Sequence, residues 1–436
     1  MPDRRSLVVV FLAALVCRAA LWSAALPDPS RLLSPPDSDE YLTIAHNIAA
    51  GRGFSADVSP PFRPDIRRTP VYTTLLASVF LLPFGDVRLA SLIGALASAA
   101  TVAATYSIAW HLFGPIAAIG AAVLLTVDVT SASYSVLILT EAVFTALVTT
   151  AVLALMRRPL TRPADVRGGA LLGGAALCRP AGILLGLVTL PVCAWRHSAW
   201  QAIARHYMWV NATFFLVALL WVGRNFIVAD TLTLSSIASV NLYFHRAAAV
   251  EARLEGKKTE EVRAVWERQF ESLSAQWSDA EKLEWMKSHA RDVILSHPAT
   301  YLQITVDGFI YMMQSEPLEL RRLLGLREGS FSYNATGVAA SVQLWLVYLA
   351  AVLGVLASAR DDERRRAALV PLAFIAYFVL VSGPEAYPRF RVPIMPFVAM
   401  LSGIGIERLA TSIRSRGVYE KADPPFRPGS SGIGLR

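Results

Sequence analysis

Three carboxylates fall within four positions, at Asp37, Asp39 and Glu40, in the run Pro36-Asp37-Ser38-Asp39-Glu40-Tyr41. Ile44, Ala45 and Ile48 follow at helical spacing, and Gly51-Arg52-Gly53-Phe54 closes the stretch. Crowding that much negative charge costs repulsion that fold stability does not favour. The cluster is better explained by the chemistry of carboxylates whose proton affinities are shifted by their neighbours. Other acids and guanidinium groups occur far away, at Glu141, Arg179, Arg224-Asn225, Glu385, Arg389 and Arg391. The segments between them decide whether they can meet.

Those segments are membrane spans. A chain of 436 residues that is 54% hydrophobic and 17% charged, with mean hydropathy +0.46, carries more apolar sequence than one soluble core can bury. The formal net charge of +8 would suggest nucleic acid in a soluble protein. Here it fits basic cytoplasmic loops facing anionic lipid, and no nucleic-acid partner is expected. Cys17, Cys178 and Cys193 lie in apolar runs as small hydrophobes, which leaves no disulfide or zinc framework.

The expected fold class is an all-α polytopic membrane protein. Leu7–Leu26 is long enough to cross the hydrocarbon; a signal peptide ending near Ala24-Ala25-Leu26 is the alternative. Pro27–Thr69 is polar and Pro-rich, and Pro70–Pro83 is an apolar stretch too short to span, suited to a surface or re-entrant helix. Further spans are expected at Val87–Leu112, Ile116–Val129, Ala142–Met156, Gly168–Leu177, Ala181–Trp195, Tyr207–Val222, Ala339–Ala359, Ala367–Val381 and Val392–Leu409, about ten in all. Arg179-Pro180 should break the chain at an interface, because proline removes a backbone donor and arginine is costly at a helix centre.

Four regions result. They are a membrane module (1–223) containing the first external loop (27–86), a mostly helical external region (224–338), C-terminal spans (339–411) and a disordered cytoplasmic tail (412–436). Ser278-Asp279-Ala280-Glu281 reads as a capping box, opening a helix with Leu283, Met286, Ala290, Val293 and Ile294 on one face.

Counting Lys and Arg places both termini inside, since Met1–Ser6, Arg157–Arg167, Arg196–His206, Arg360–Arg366 and the tail are basic. The first outer loop and Gly383–Arg391 are basic too, against that rule. With this topology the acids and arginines named above all reach the external face. A structural protein has no need to gather them there.

Asp37-Ser38-Asp39-Glu40-Tyr41, with Ala45, Asn47 and Gly51-Arg52-Gly53-Phe54, resembles the first external loop of GT-C membrane glycosyltransferases of the protein O-mannosyltransferase and aminoarabinose-transferase type. Arg68-Thr69-Pro70-Val71-Tyr72 is similar to the Arg-x-Pro-Gly-Tyr-Pro segment that follows there, with Val71 and Thr73 in place of Gly and Pro. Thr140-Glu141, Arg179-Pro180, Arg224-Asn225, Asn241-Leu242 and Arg389-Phe390-Arg391-Val392-Pro393 recur in the family's order.

The resemblance implies transfer of a sugar from a polyprenyl-phosphate donor to a lipid, glycan or protein hydroxyl at the external face of a bacterial inner membrane. It gives Asp37 the role of base, with Asp39 as the other alignment (Asp39-Glu40 matching the family's Asp-Glu pair). The donor phosphate would fall to Arg224, Arg389 or Arg391 and to Arg179, since guanidinium groups fit phosphate oxygens bidentately. Tyr41, Arg68, Tyr72, Glu141, Asn225 and Tyr243 are the candidate substrate-binding residues. No metal site can be drawn from His and acid spacing, although carboxylates alone could hold Mg²⁺ or Mn²⁺. A lipid or sugar transporter or flippase and a non-catalytic envelope-polysaccharide assembly protein are the alternative classes.

Overall fold

A computed structural model describes residues 2–156, 162–196 and 199–419, and among these there are helices and turns but no strand. The first half contains α1 (Arg4–Ala25), α2 (Asp37–Ala49), α3 (Pro70–Phe80), α4 (Val87–Phe113), α5 (Pro115–Val127), α6 (Val129–Tyr134), α7 (Glu141–Met156), α8 (Arg162–Ala176), α9 (Leu190–Arg196) and α10 (Trp200–Ala229). A smaller helical region follows, with α11 (Ile237–Val240), a π-helical turn (Asn241–Ala247), α12 (Ala248–Glu255), α13 (Thr259–Leu273), α14 (Asp279–Ser296), α15 (Pro298–Met312) and α16 (Leu318–Leu323). Three long helices end the chain, α17 (Phe331–Ser358), α18 (Asp362–Ser382) and α19 (Met395–Tyr419).

Among the described residues, α1, α4, α10, α17 and α18 with the turn after it are long and apolar enough to cross a membrane, and α3, α5 and α7 are shorter apolar helices. The chain is a multi-pass, all-α membrane protein. The stretch expected as one span at Ala181–Trp195 is instead two 3-10 turns, Pro180–Gly182 and Leu187–Thr189, followed by α9. Pro180 cannot donate, and Gly182 and Gly186 favour helix weakly, so the backbone does not continue the helix. α19 runs on to Tyr419, into the stretch expected as tail, while residues 420–436 with Pro424-Pro425 lie outside the described residues.

Small residues set how closely the bundle packs. A Cβ at Gly403 would fall onto the Ala117 carbonyl of α5, and one at Gly405 onto the Ala350 carbonyl of α17. Bare backbone therefore lets α19 lie between α5 and α17. Its first turns are enclosed, with Met395, Phe397 and Met400 buried and Phe397 stacked on Phe374 at 4.6 Å.

Arg18 places a charge inside this bundle. Arg18 of α1 is fully buried and donates to the Thr126 and Leu125 carbonyls, at 2.5 and 3.1 Å, and to Ser98 Oγ at 3.2 Å. Those carbonyls close α5 and have no intrahelical partner, so the guanidinium caps a helix end rather than meeting lipid.

The region from α11 to α14 has its own core. Tyr243 stacks on Trp266 at 4.7 Å and meets Trp285 edge-on at 5.2 Å, with Phe244, Phe270, Leu283, Met286 and Ala290 buried around them. The capping box forms as expected: Ser278 Oγ accepts from Glu281 N, and the Glu281 carboxylate accepts from Ser278 N at 2.7 Å.

Candidate active site

The first loop is stitched to the segment ahead of α7. Ser38 is buried, accepting from Ser34 N and donating to the Ile138 carbonyl, both at 2.8 Å, while Ile138 N donates to the Leu32 carbonyl at 2.9 Å. The N-cap position of α2 is Pro36, whose side chain has no acceptor, so the helix starts with no side-chain cap. Asp37, Asp39 and Glu40 all lie in its first turn, where the helix dipole favours negative charge. Helical spacing then sorts them: residues 37, 40 and 41 share one side, and Asp39 turns outward.

Arg68 gathers that side. Its Nη2 donates to Asp37 Oδ1 at 2.7 Å, its Nε to Glu40 Oε2 at 2.7 Å and its Nη1 to the Tyr41 hydroxyl at 3.1 Å. Its guanidinium also lies 4.6 Å from the Tyr41 ring centre, and the side chain is 6% exposed. Asp65 aims it inward, because its carboxylate accepts from the backbone N–H groups of Arg67 and Arg68 at 3.1 and 2.8 Å. Arg67 reaches Glu40 Oε1 at 3.2 Å, and buried Tyr72 of α3 meets Tyr41 edge-on at 5.2 Å.

The other half of the site arrives from three distant turns. Arg389, in a 3-10 turn (Pro388–Arg391) between α18 and α19, donates from Nη1 to Asp37 Oδ2 at 2.7 Å and to the Tyr387 hydroxyl at 3.3 Å. Its Nε donates to Glu141 Oε1, the fully buried first residue of α7. The same Glu141 oxygen accepts from Arg179 Nη1, while Glu141 Oε2 is buried without a partner among the described residues. Arg179 is extended because Pro180 follows it, as expected for a break at that position, and its guanidinium lies 5.0 Å from the Phe390 ring centre.

Arg67, Arg68, Arg179 and Arg389 thus face Asp37, Glu40 and Glu141, and the Asp65 carboxylate behind Arg67 and Arg68 brings the group to four acids and four guanidinium groups. No partner among the described residues is seen for Arg389 Nη2 or for Arg179 Nε and Nη2. Burial pushes the Asp37 carboxyl up, but Arg389 and Arg68 outweigh it and hold it at about 2. Burial opposes the charge on Arg68 and Arg389 as well, yet the neighbouring acids raise both above the ordinary arginine value.

Several expected site residues lie elsewhere. Arg391, two positions beyond Arg389 in the 3-10 turn, points away: it is 1% exposed and donates to the Met312 and Gln314 carbonyls, at 2.7 and 2.6 Å, and to Thr130 Oγ1 at 2.6 Å. Arg224 does not join Asp37 but donates to the Asp65 carbonyl at 2.5 Å and to Asn225 Oδ1 at 3.0 Å, beside Trp221 and Phe54. Asn225 is buried and ties the end of α10 to the Thr233 and Leu234 carbonyls. Tyr243 belongs to the aromatic core described above. Asp39 is exposed and makes no ion pair among the described residues. Sequence reasoning missed Tyr387 and the site role of Arg67, although Arg67 was already among the outer-loop charges that break the positive-inside pattern.

Both Asp37 oxygens and the bonded Glu141 oxygen face guanidinium groups, and no cluster of three or more His, Cys, Asp or Glu able to hold a metal occurs among the described residues.

No family model matches the sequence, and no curated protein matches it. Among solved structures the chain is similar to the archaeal oligosaccharyltransferase AglB from Archaeoglobus fulgidus in complex with an inhibitory peptide and a dolichol-phosphate. That match has 14% identity and a TM-score of 0.57, over 98% of this chain and 52% of that one. The apo Archaeoglobus fulgidus oligosaccharyltransferase matches at 14% identity and a TM-score of 0.54, over 96% and 52%. ArnT from Cupriavidus metallidurans bound to undecaprenyl phosphate aligns over 97% of this chain and 82% of its own at 14% identity, with a TM-score of 0.41. The chain spans about half the length of the oligosaccharyltransferases it matches. The chain shares the membrane fold of these oligosaccharyltransferases.

Proposed function

We propose that the protein is an integral membrane glycosyltransferase, moving a sugar from a polyprenyl-phosphate donor to an acceptor hydroxyl at the external face of a bacterial inner membrane. The observation that carries this reading is the placement of Asp37 between Arg68 and Arg389, with Arg389 Nη2 left without a partner among the described residues. A base and a phosphate-binding surface are thereby side by side. The fold supports the reading, and the AglB structure that shares it holds a dolichol-phosphate.

In this reading the Asp37 carboxylate takes the proton of the acceptor hydroxyl while the hydroxyl oxygen attacks the anomeric carbon. The bond from that carbon to the phosphate oxygen breaks, and its electron pair leaves on the polyprenyl phosphate. The open donors of Arg179 and Arg389 receive the growing negative charge, so stabilisation is largest where charge develops. One displacement inverts the anomeric configuration. Asp37 is preferred to Asp39 as the base because Asp39 stands outside the ion-paired group. A transporter would gather its ionisable residues near the midplane, whereas these collect at one end of the bundle.

The test is incubation of purified membranes with a panel of radiolabelled polyprenyl-phosphate sugars, with nucleotide sugars as the control. Transfer from a lipid-linked donor, lost in Asp37→Asn, is the expected result. Direct use of nucleotide sugars would overturn the proposal.

A further inference from the structure

Asp37 is a masked base as it stands. Oδ1 accepts from Arg68 Nη2 and Oδ2 from Arg389 Nη1, each at 2.7 Å, and a carboxylate tied to two guanidinium groups takes up a proton poorly. The two arginines are held differently. Arg68 spends every nitrogen on the first loop: Nη2 on Asp37, Nε on Glu40 and Nη1 on Tyr41. Arg389 is anchored from behind by Glu141 through Nε, and its Nη2 has no partner among the described residues. It can therefore exchange one anion for another while Glu141 keeps hold of it.

We infer that Arg389 is a latch on Asp37 that the donor opens: the donor phosphate takes the Nη groups of Arg389, and Asp37 Oδ2 is released to receive the acceptor's proton. This rests on the proposed function and adds an order to it. A phosphate presents several oxygens to the guanidinium edge and is its natural bidentate partner, so it competes well with a single carboxylate oxygen. The exchange replaces one negative neighbour with another, so Arg389 remains compensated throughout. Without the donor, an acceptor hydroxyl or water meets a carboxylate that is already occupied. The base is freed only when a polyprenyl phosphate group is bound.

The probe is farnesyl phosphate, a short polyprenyl monophosphate, titrated calorimetrically into the purified full chain in detergent. If Asp37 competes for Arg389, Asp37→Asn binds about tenfold more tightly than wild type. Asp39→Asn removes the same charge two residues away, without an ion pair, and shifts affinity less than ~2-fold. Equal effects of the two variants, with binding retained, overturn the latch and leave the phosphate site standing. Absence of binding to wild type and to both variants overturns the latch together with the phosphate reading. An infrared difference spectrum on protein carrying ¹³C-labelled aspartate gives a second readout that does not depend on Asp37→Asn folding. A labelled carboxylate band that shifts on adding farnesyl phosphate to wild type, and is missing from Asp37→Glu, supports the release; unmoved aspartate bands refute it.

Discussion

Arg389 Nη1 donates to Asp37 Oδ2 across 2.7 Å, although 352 positions separate the two residues in the chain. The contact joins the turn ahead of α19 to the first turn of α2, so it contributes to tertiary stability as well as to the site. Burial raises the Asp37 carboxyl, and Arg389 and Arg68 more than reverse this, taking it from 3.8 to about 2. A depressed carboxyl contributes stability in full above its unfolded value and loses it as pH falls through the folded one. The expected contribution is about 2 kcal/mol. The gap in thermal midpoint between wild type and Asp37→Asn should hold steady from neutral pH down to about 4 and close between there and about 2. A gap independent of pH across that window would show that the ion pairs do not stabilise the fold.

Glu141 is more exposed to loss than Asp37, in the energetic sense. It is fully buried and binds Arg179 and Arg389 through a single oxygen. Glu141→Gln keeps the shape but leaves two guanidinium groups facing a neutral amide, and breaking a buried pair costs about 3–5 kcal/mol. Chemical or thermal unfolding in detergent should show Glu141→Gln to be less stable than Asp37→Asn, whose carboxylate is partly exposed. The reverse order would mean that Glu141 is solvated.

Much of this site was legible in the sequence, and the parts that were not have identifiable causes. Asp37, Glu40, Arg68, Glu141, Arg179 and Arg389 were legible as acids and guanidinium groups beside the ends of apolar runs, and they meet. Arg391 escaped that logic: it lies two positions from Arg389, but side chains two apart in a tight turn point in different directions. Asn225 and Tyr243 read as polar and aromatic groups near an interface, whereas they are held by carbonyls beyond α10 and by Trp266 and Trp285. Arg18 was invisible because averaging hydropathy over a span hides one charge, and its partners, the last carbonyls of α5, lie more than a hundred positions away.

The separation of Arg389 from Arg391 is testable. Arg391 spends its guanidinium on the Met312 and Gln314 carbonyls and Thr130, all inside the protein. Arg391→Met leaves those buried acceptors unpaired and should cost about 3 kcal/mol, with farnesyl phosphate affinity little changed in the folded fraction. Arg389→Met should weaken that affinity by at least ~10-fold. Calorimetry on both variants decides the matter, and a larger affinity loss in Arg391→Met would return that residue to the phosphate site.

Arg68 supplies the sharpest contrast between charge and geometry. Its three nitrogens reach Glu40, Tyr41 and Asp37 at 2.7, 3.1 and 2.7 Å, a spread that a planar fork can span. Lysine carries the same charge on one ammonium and cannot hold all three partners at once. Arg68→Lys should therefore let the first turn of α2 drift and lower the transfer rate from a lipid-linked donor by ~10-fold or more, since small misplacements of a reacting group are expensive. Arg67→Lys is the matched control, because the Arg67 side chain is half exposed and makes a single ion pair among the described residues, at 3.2 Å with Glu40. Exposed ion pairs contribute little, and that variant should stay within ~2-fold of wild type. Equal rates for the two lysine variants would show that Arg68 acts through its charge alone, and the fixed placement of Asp37 by the first loop would then have to be abandoned.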